Sequence, residues 1–192
     1  MDQISRATDL GALDAIFNDV AQAKRVLAGE DTQFNRRVLV RTVYSGVEAL
    51  VNWMKALVLA EHQRGLRHFS LAQLAMLRDE SFYIDSSGRP QTQPKFTPLE
   101  SNFRFAADLF LHRPHKDLPL AADWGSSGWQ SLKGGLRIRN RLTHPRSSSD
   151  LTVSDEDLRS VNDGYQFVLD LFIGQLIKAL EQDGGQSAQP SA

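Results

Sequence analysis

Residues 129–145 read Trp129-Gln-Ser-Leu-Lys-Gly-Gly-Leu-Arg-Ile-Arg-Asn-Arg-Leu-Thr-His144-Pro145. At about 100° per residue, Trp129, Leu132, Leu136, Ile138 and Leu142 cover roughly half of a helical circumference, the pattern of a helix with one buried face. Lys133, Arg137, Asn140 and Arg141 fall on the opposite side, where solvated groups belong. Arg139 falls inside the apolar arc. Ser127-Gly128-Trp129-Gln130 has the capping-box pattern expected at the helix start. Pro145 cannot continue the helix and biases His144 out of helical geometry.

The chain on both sides of this helix carries the same period. Leu13, Ile16, Phe17, Val20 and Val26 recur at three and four, predicting a helix over about residues 10–27 that ends at Gly29. Asp31 is placed to cap a second, long helix, in which Phe34, Val38, Arg41, Glu48 and Trp53 lie in a run to about Arg64 broken only by Gly46. Ser70-Leu-Ala-Gln73 opens a short third helix. Residues 82–96 change character: Phe-Tyr-Ile, then Asp85-Ser-Ser-Gly88 and two prolines, predict a turn-rich excursion or small hairpin. Thr97-Pro98-Leu99-Glu100 sets a capping hydroxyl before a first-turn proline and starts a fourth helix that runs to about His112, before Pro114. After Ser147-Ser-Ser149, Ser154-Asp-Glu-Asp157 caps a last helix with Tyr165, Leu169, Phe172, Leu176 and Leu180 on its core face. The expectation is an all-α bundle of about five to six helices forming one domain over residues 1–183, with a frayed tail over 184–192.

Composition narrows the function classes. The chain has 192 residues, 41% of them hydrophobic, and a formal charge of −1, so no whole-molecule field draws in nucleic acid or anionic membrane and any anion site must be local. It contains no cysteine, which removes disulfides, thiolate nucleophiles and sulfur-rich zinc sites. The amino terminus lacks the build of a secretory signal, and Asn52, Lys55, Asp170 and Lys178 interrupt the most apolar stretches. A cytoplasmic location without membrane association is expected.

Arg139 has two readings. In the plain one, its guanidinium, which cannot shed its charge, pairs with an acid such as Glu48 on the long second helix. In the sharper one, Arg139 and His144 form a site for a phosphodiester: a fixed fork of donors beside a group that exchanges protons near neutral pH. A ribose 2′-hydroxyl would attack its own phosphate, with His144 moving the proton, Arg139 stabilising the phosphoryl oxygens and Asn140 orienting His144 or the phosphate, and no metal or other cofactor required. On a continuous helix, residues five apart lie about 140° around the axis, so convergence needs His144 released by Pro145 or the paired segments of a two-fold dimer.

With 16 arginines and 5 histidines in the chain, an arginine five places before a histidine arises by accident roughly 0.4 times, and requiring asparagine after the arginine lowers this to about 0.01. The fuller string Ile-Arg139-Asn140-Arg-Leu-Thr-His144-Pro145 resembles the signature of the HEPN superfamily, and the order of a long helix, the motif helix and an amphipathic helix is similar too. The resemblance implies an all-helical, usually dimeric protein and a metal-independent endoribonuclease with Arg139, Asn140 and His144 as catalytic positions. It also implies the settings of toxin–antitoxin and phage-defence systems, with a nucleotidyltransferase-type antitoxin as a partner in several. Some members of the superfamily bind nucleotides or act as silent scaffolds, so a non-catalytic module binding a nucleotide or protein is the alternative.

Other features carry less. Arg36, Arg37, Arg41, Arg137, Arg141 and Arg146 read as solvated charges, of which Arg137, Arg141 and Arg146 lie beside the motif and are the candidates for RNA phosphate contact. No Asp, Glu or Cys near His112 and His115 completes a zinc-like ligand set. His62 and His68 flank a helix end, an ordinary place for histidine. Trp53, Phe103, Phe105, Trp124 and Trp129 read as core rather than as a base platform.

Overall fold

The computed structural model describes residues 10–112 and 122–186, except for the side chains of Leu10 and residues 175–186. Its axis is helix α2, Gln33–Gln63, which carries Leu39, Val40, Val43, Tyr44, Val47, Leu50, Val51, Met54 and Val58 into the core. Helix α1, Leu10–Gly29, packs along α2 through Leu13, Val20 and Ala23. Val26, expected on that buried face, is 43% exposed; Ala23 and Leu27 take the last inward turns instead. The cap of α2 is Thr32, whose hydroxyl accepts from the Asn35 amide, and not Asp31, whose carboxylate is held by Arg36 at 2.5 Å.

Helix α3, Leu71–Leu77, opens with the expected reciprocal Ser70–Gln73 box. It leads into a two-stranded antiparallel hairpin, β1 (Glu80–Ile84) and β2 (Pro90–Pro94), in register Glu80 to Pro94. Asp85 ties the turn by accepting from the amides of Ser87 and Arg89. Gly88 takes the positive φ of 75° that a side chain would resist. Helix α4, Leu99–Leu111, begins where expected, but its cap position is Pro98 with no side-chain bond, so Thr97 does not act as a cap. The histidine pair expected after α4 lies partly outside the described residues; His112 caps the helix, with its Nδ1 2.7 Å from the Asp108 carbonyl oxygen.

Helix α5, Ser127–Thr143, is capped by Ser126, one residue ahead of the expected box. A one-turn 3-10 segment, Ser148–Leu151, follows. Helix α6, Asp155–Gln186, starts with Ser154 and Asp157 bonding each other's backbone amides. It runs three residues past the point where the tail was expected to fray. Tyr165 is buried and Leu169 and Phe172 pack on the core, whereas the side chains of Leu176 and Leu180 lie outside the described set.

The two most extensive helix contacts are α5 with α6 and α1 with α2. The first is close because glycines remove side chains at the crossing. A Cβ on Gly164 would sit 2.6 Å from the Leu132 Cα; on the side of α5 toward α2, one on Gly135 would sit 1.9 Å from the Tyr44 Oη. Tyr44 uses that space to donate to the Leu132 carbonyl at 3.0 Å, so α5 is pinned between α2 and α6. Six α-helices and one small hairpin among the described residues make this an all-α bundle. No described helix is long and apolar enough to cross a membrane.

Candidate functional site

The α5 surface that faces α2 and the loop after β2 lines a cleft of about 690 Å³. Val51, Phe96, Pro98, Leu99 and Leu136 supply its apolar contribution, and Glu48, Lys133, Arg137, Arg139 and Asn140 bring charge and amide groups from α2 and α5. Leu132, Leu136, Ile138 and Leu142 are buried, as the wheel requires, and this fixes the rotation of α5 that turns Arg139 toward α2.

Arg139 sits at the edge of the apolar stripe and not in its middle, with 30% of its side chain exposed. Its Nη2 donates to the Glu48 Oε1 at 2.5 Å and its Nη1 to the Asn140 Oδ1 at 3.3 Å. The plain reading of the pair, an arginine anchored by Glu48, is therefore realised in the geometry. The same pair sets the partly exposed guanidinium on the wall of the cleft. Thr143 returns its hydroxyl to the Arg139 carbonyl at 2.9 Å, in the last turn of the helix.

His144 is the C-cap of α5, with φ −126° and ψ 62°, so Pro145 has the expected effect on its backbone. Its ring is exposed and does not line the cleft that holds Arg139. Within one chain, Arg139, Asn140 and Glu48 are brought together, and His144 is not brought into their pocket. Among the described residues no cluster of histidine and acid side chains could hold a metal.

The arginines divide into two groups. Arg137 is exposed, lines the cleft and has no acid partner among the described residues. Arg141 instead clamps Asp157 at 2.7 Å and donates to the Thr152 carbonyl at 2.6 Å, tying the motif helix to the start of α6. The Asp157 carboxyl lies below its ordinary pKa: burial acts to raise it, and the Arg141 guanidinium and the Ser154 amide outweigh that. Arg146 is exposed at the turn, where its backbone amide donates to Asp150.

Arg36 and Arg37, expected as solvated charges, are partly buried, whereas Arg41 is exposed as expected; each nevertheless donates to a backbone carbonyl across the fold. Arg36 bridges Asp31 and Asp155 and donates to the Val153 carbonyl, Arg37 donates to the Leu151 carbonyl, and Arg41 to that of Leu142. Arg36 and Arg37 hold the segment that follows the motif helix against α2, and Arg41 holds the last turn of the motif helix itself. The expected core aromatics do pack inside: Phe103 and Trp129 are buried, and Trp53, Phe105 and Trp124 lie against the core.

Sequence reasoning passed over the opposite wall of the cleft, where Lys95 and Phe96 follow the hairpin and Asp79 precedes it. Asp79 stands at φ 53° and accepts from the buried Lys55 ammonium at 2.6 Å. The available signal was a lysine in the middle of the apolar stripe of α2, a place where a cation requires a partner. No protein-family model, curated protein or solved structure matches the chain.

Proposed function

We propose that the protein is a metal-independent endoribonuclease of HEPN type that cleaves RNA by attack of a ribose 2′-hydroxyl on the adjacent phosphate. The observation that carries this reading is the Arg139 guanidinium, anchored by Glu48 at 2.5 Å and exposed along a cleft whose free charges are mostly cationic. Such a donor, already oriented before the reaction, stabilises charge that develops on phosphoryl oxygens without reorganising. His144 takes the 2′-hydroxyl proton or returns one to the departing 5′-oxygen, and the products are a 2′,3′-cyclic phosphate and a 5′-hydroxyl. Asn140, bonded to Arg139, orients the guanidinium. Since His144 lies outside the Arg139 cleft of its own chain, the site is completed by a two-fold pairing in which α5 C-terminal ends of two chains meet. A toxin or phage-defence role, with a nucleotidyltransferase-type antitoxin, belongs to the same proposal and rests on the resemblance of the motif.

The test is RNA cleavage by purified protein in the presence of a chelator. His144→Ala is expected to slow cleavage roughly 10²- to 10⁴-fold with the melting temperature unchanged. Arg139→Ala is expected to lose roughly 10²-fold or more. Wild-type protein that cuts no RNA, or a His144→Ala variant that cuts at the wild-type rate, ends the reading. A second reading, a non-catalytic module that binds a nucleotide or protein, is favoured by the separation of His144 from the cleft; it requires that His144→Ala leave ligand binding intact where no cleavage is seen.

A further inference from the structure

We infer that the cleft is a recognition pocket for one unstacked base of a single-stranded RNA, with the base stacked on Phe96 and the flanking phosphates on Lys133 and Arg137. The inference takes the identity of the nucleic acid from the ribonuclease reading, but its geometry is independent of His144.

Charge comes first. Two of the cleft's acids are already neutralised, Glu48 by Arg139 and Asp79 by Lys55. Among the described residues this leaves Lys95, Lys133 and Arg137 without acid partners, against Glu100 alone. On a chain of net charge −1, that local excess of cations is complementary to a polyanion.

Shape comes second. Phe96 is 90% exposed, the most exposed of the large apolar side chains described, and it stands on the wall of this cationic cleft. A phenyl ring left in water forgoes the stabilisation that burial would give it, and an aromatic face beside phosphate-binding groups is the arrangement that stacks unpaired bases. The wall is held in place beforehand. The Lys95 amide donates to the Asp79 carbonyl at 2.7 Å, and the Asp79 carboxylate is fastened to Lys55, itself only 2% exposed. Lys55 also donates to the Asn102 Oδ1 at 3.1 Å, which fixes that amide so that its NH₂ group is the part left to meet a base edge. Taking a base out of a duplex costs unpairing and unstacking free energy that a single strand does not incur, so the ligand is a single strand.

Fluorescence anisotropy with a short, fully 2′-O-methylated single-stranded RNA tests this, because the probe binds without being cleaved. Phe96→Ala is expected to weaken binding roughly 5- to 100-fold and Phe96→Trp to retain it, with melting temperatures unchanged because the side chain is exposed. Lys133→Gln and Arg137→Gln are each expected to weaken binding and to flatten its dependence on log salt by about 0.7. Binding by Phe96→Ala within about twofold of wild type, equal affinity for the matching duplex, equal affinity for a mononucleotide, or a shift in solution mass caused by Phe96→Ala would each overturn the pocket. Failure of the ribonuclease reading is seen separately: Phe96-dependent binding by a protein that cuts no RNA sinks that reading and leaves the pocket standing, and cleavage with Phe96-independent binding does the reverse.

Discussion

Arg139 and Glu48 keep 30% and 40% of their side chains exposed, so solvent screens much of their attraction. Glu48→Gln is therefore expected to cost no more than about 1 kcal/mol in urea unfolding while lowering cleavage, because the amide keeps the shape and loses the charge that aims the guanidinium. A loss above about 3 kcal/mol would make the pair a structural anchor instead. Gly135 and Tyr44 behave differently, since they meet where nothing can relax. Burial pushes the Tyr44 hydroxyl above the usual tyrosine range, so it stays a donor to the Leu132 carbonyl. Gly135→Ala is expected to cost about 2–3 kcal/mol by overpacking, and Tyr44→Phe about 1 kcal/mol. The double variant should cost less than the sum of the two single variants, because the Oη that a Cβ would meet at 1.9 Å is gone. Strict additivity of the two in urea melts would refute this account of the contact.

At the scale of elements, the turn between α5 and α6 decides where the motif ends and the last helix begins. Asp157 closes the box with Ser154 and receives Arg141, so one carboxylate caps α6 and holds the end of α5. Its pKa is depressed in the folded chain, so its contribution is present above the ordinary value of 3.8 and is lost as pH falls through the folded value. Asp157→Asn is expected to lower stability by about 1–2 kcal/mol at neutral pH and to narrow the gap from wild type as pH drops below about 4. Unfolding free energies measured at both pH values check this, and a gap that widens in acid would contradict it. Arg36, Arg37 and Arg41 brace the same turn from α2, so their removal should loosen residues 142–153, read as faster amide exchange there with little change in α1.

At the scale of the whole molecule, the position of His144 makes a proposal about assembly testable. If each site takes Arg139 from one chain and His144 from the other, a mixture of Arg139→Ala and His144→Ala proteins forms heterodimers with one intact site. Equal amounts, unfolded and refolded together, should then recover about one quarter of wild-type cleavage. A mixture no more active than its components would place both groups in one chain or dismiss the mechanism. The small net charge matters here too. With no global field to assist, RNA affinity depends on the local cations of the cleft and should fall steeply with salt.

Helix existence was legible without coordinates because periodicity is a local property: residues three and four apart must share a face whatever else the chain does. The buried set of α5, the Ser70 box, the hairpin and the effect of Pro145 on His144 all follow from neighbours in sequence. So did the Arg139–Glu48 pair, because a cation in a greasy stripe demands an acid and α2 offered Glu48 among apolar neighbours. Caps were misplaced by a residue at α2 and α5 because Asp31 and Thr32, or Ser126 and Ser127, are chemically equivalent candidates until the entering chain picks one. The burial of Lys55 against Asp79, the bracing by Arg36, Arg37 and Arg41, and the cleft wall that carries Phe96 were decided only in three dimensions. Each joins residues distant along the chain, and no local rule states which surfaces the packing of α2, α4 and α5 will leave open between them.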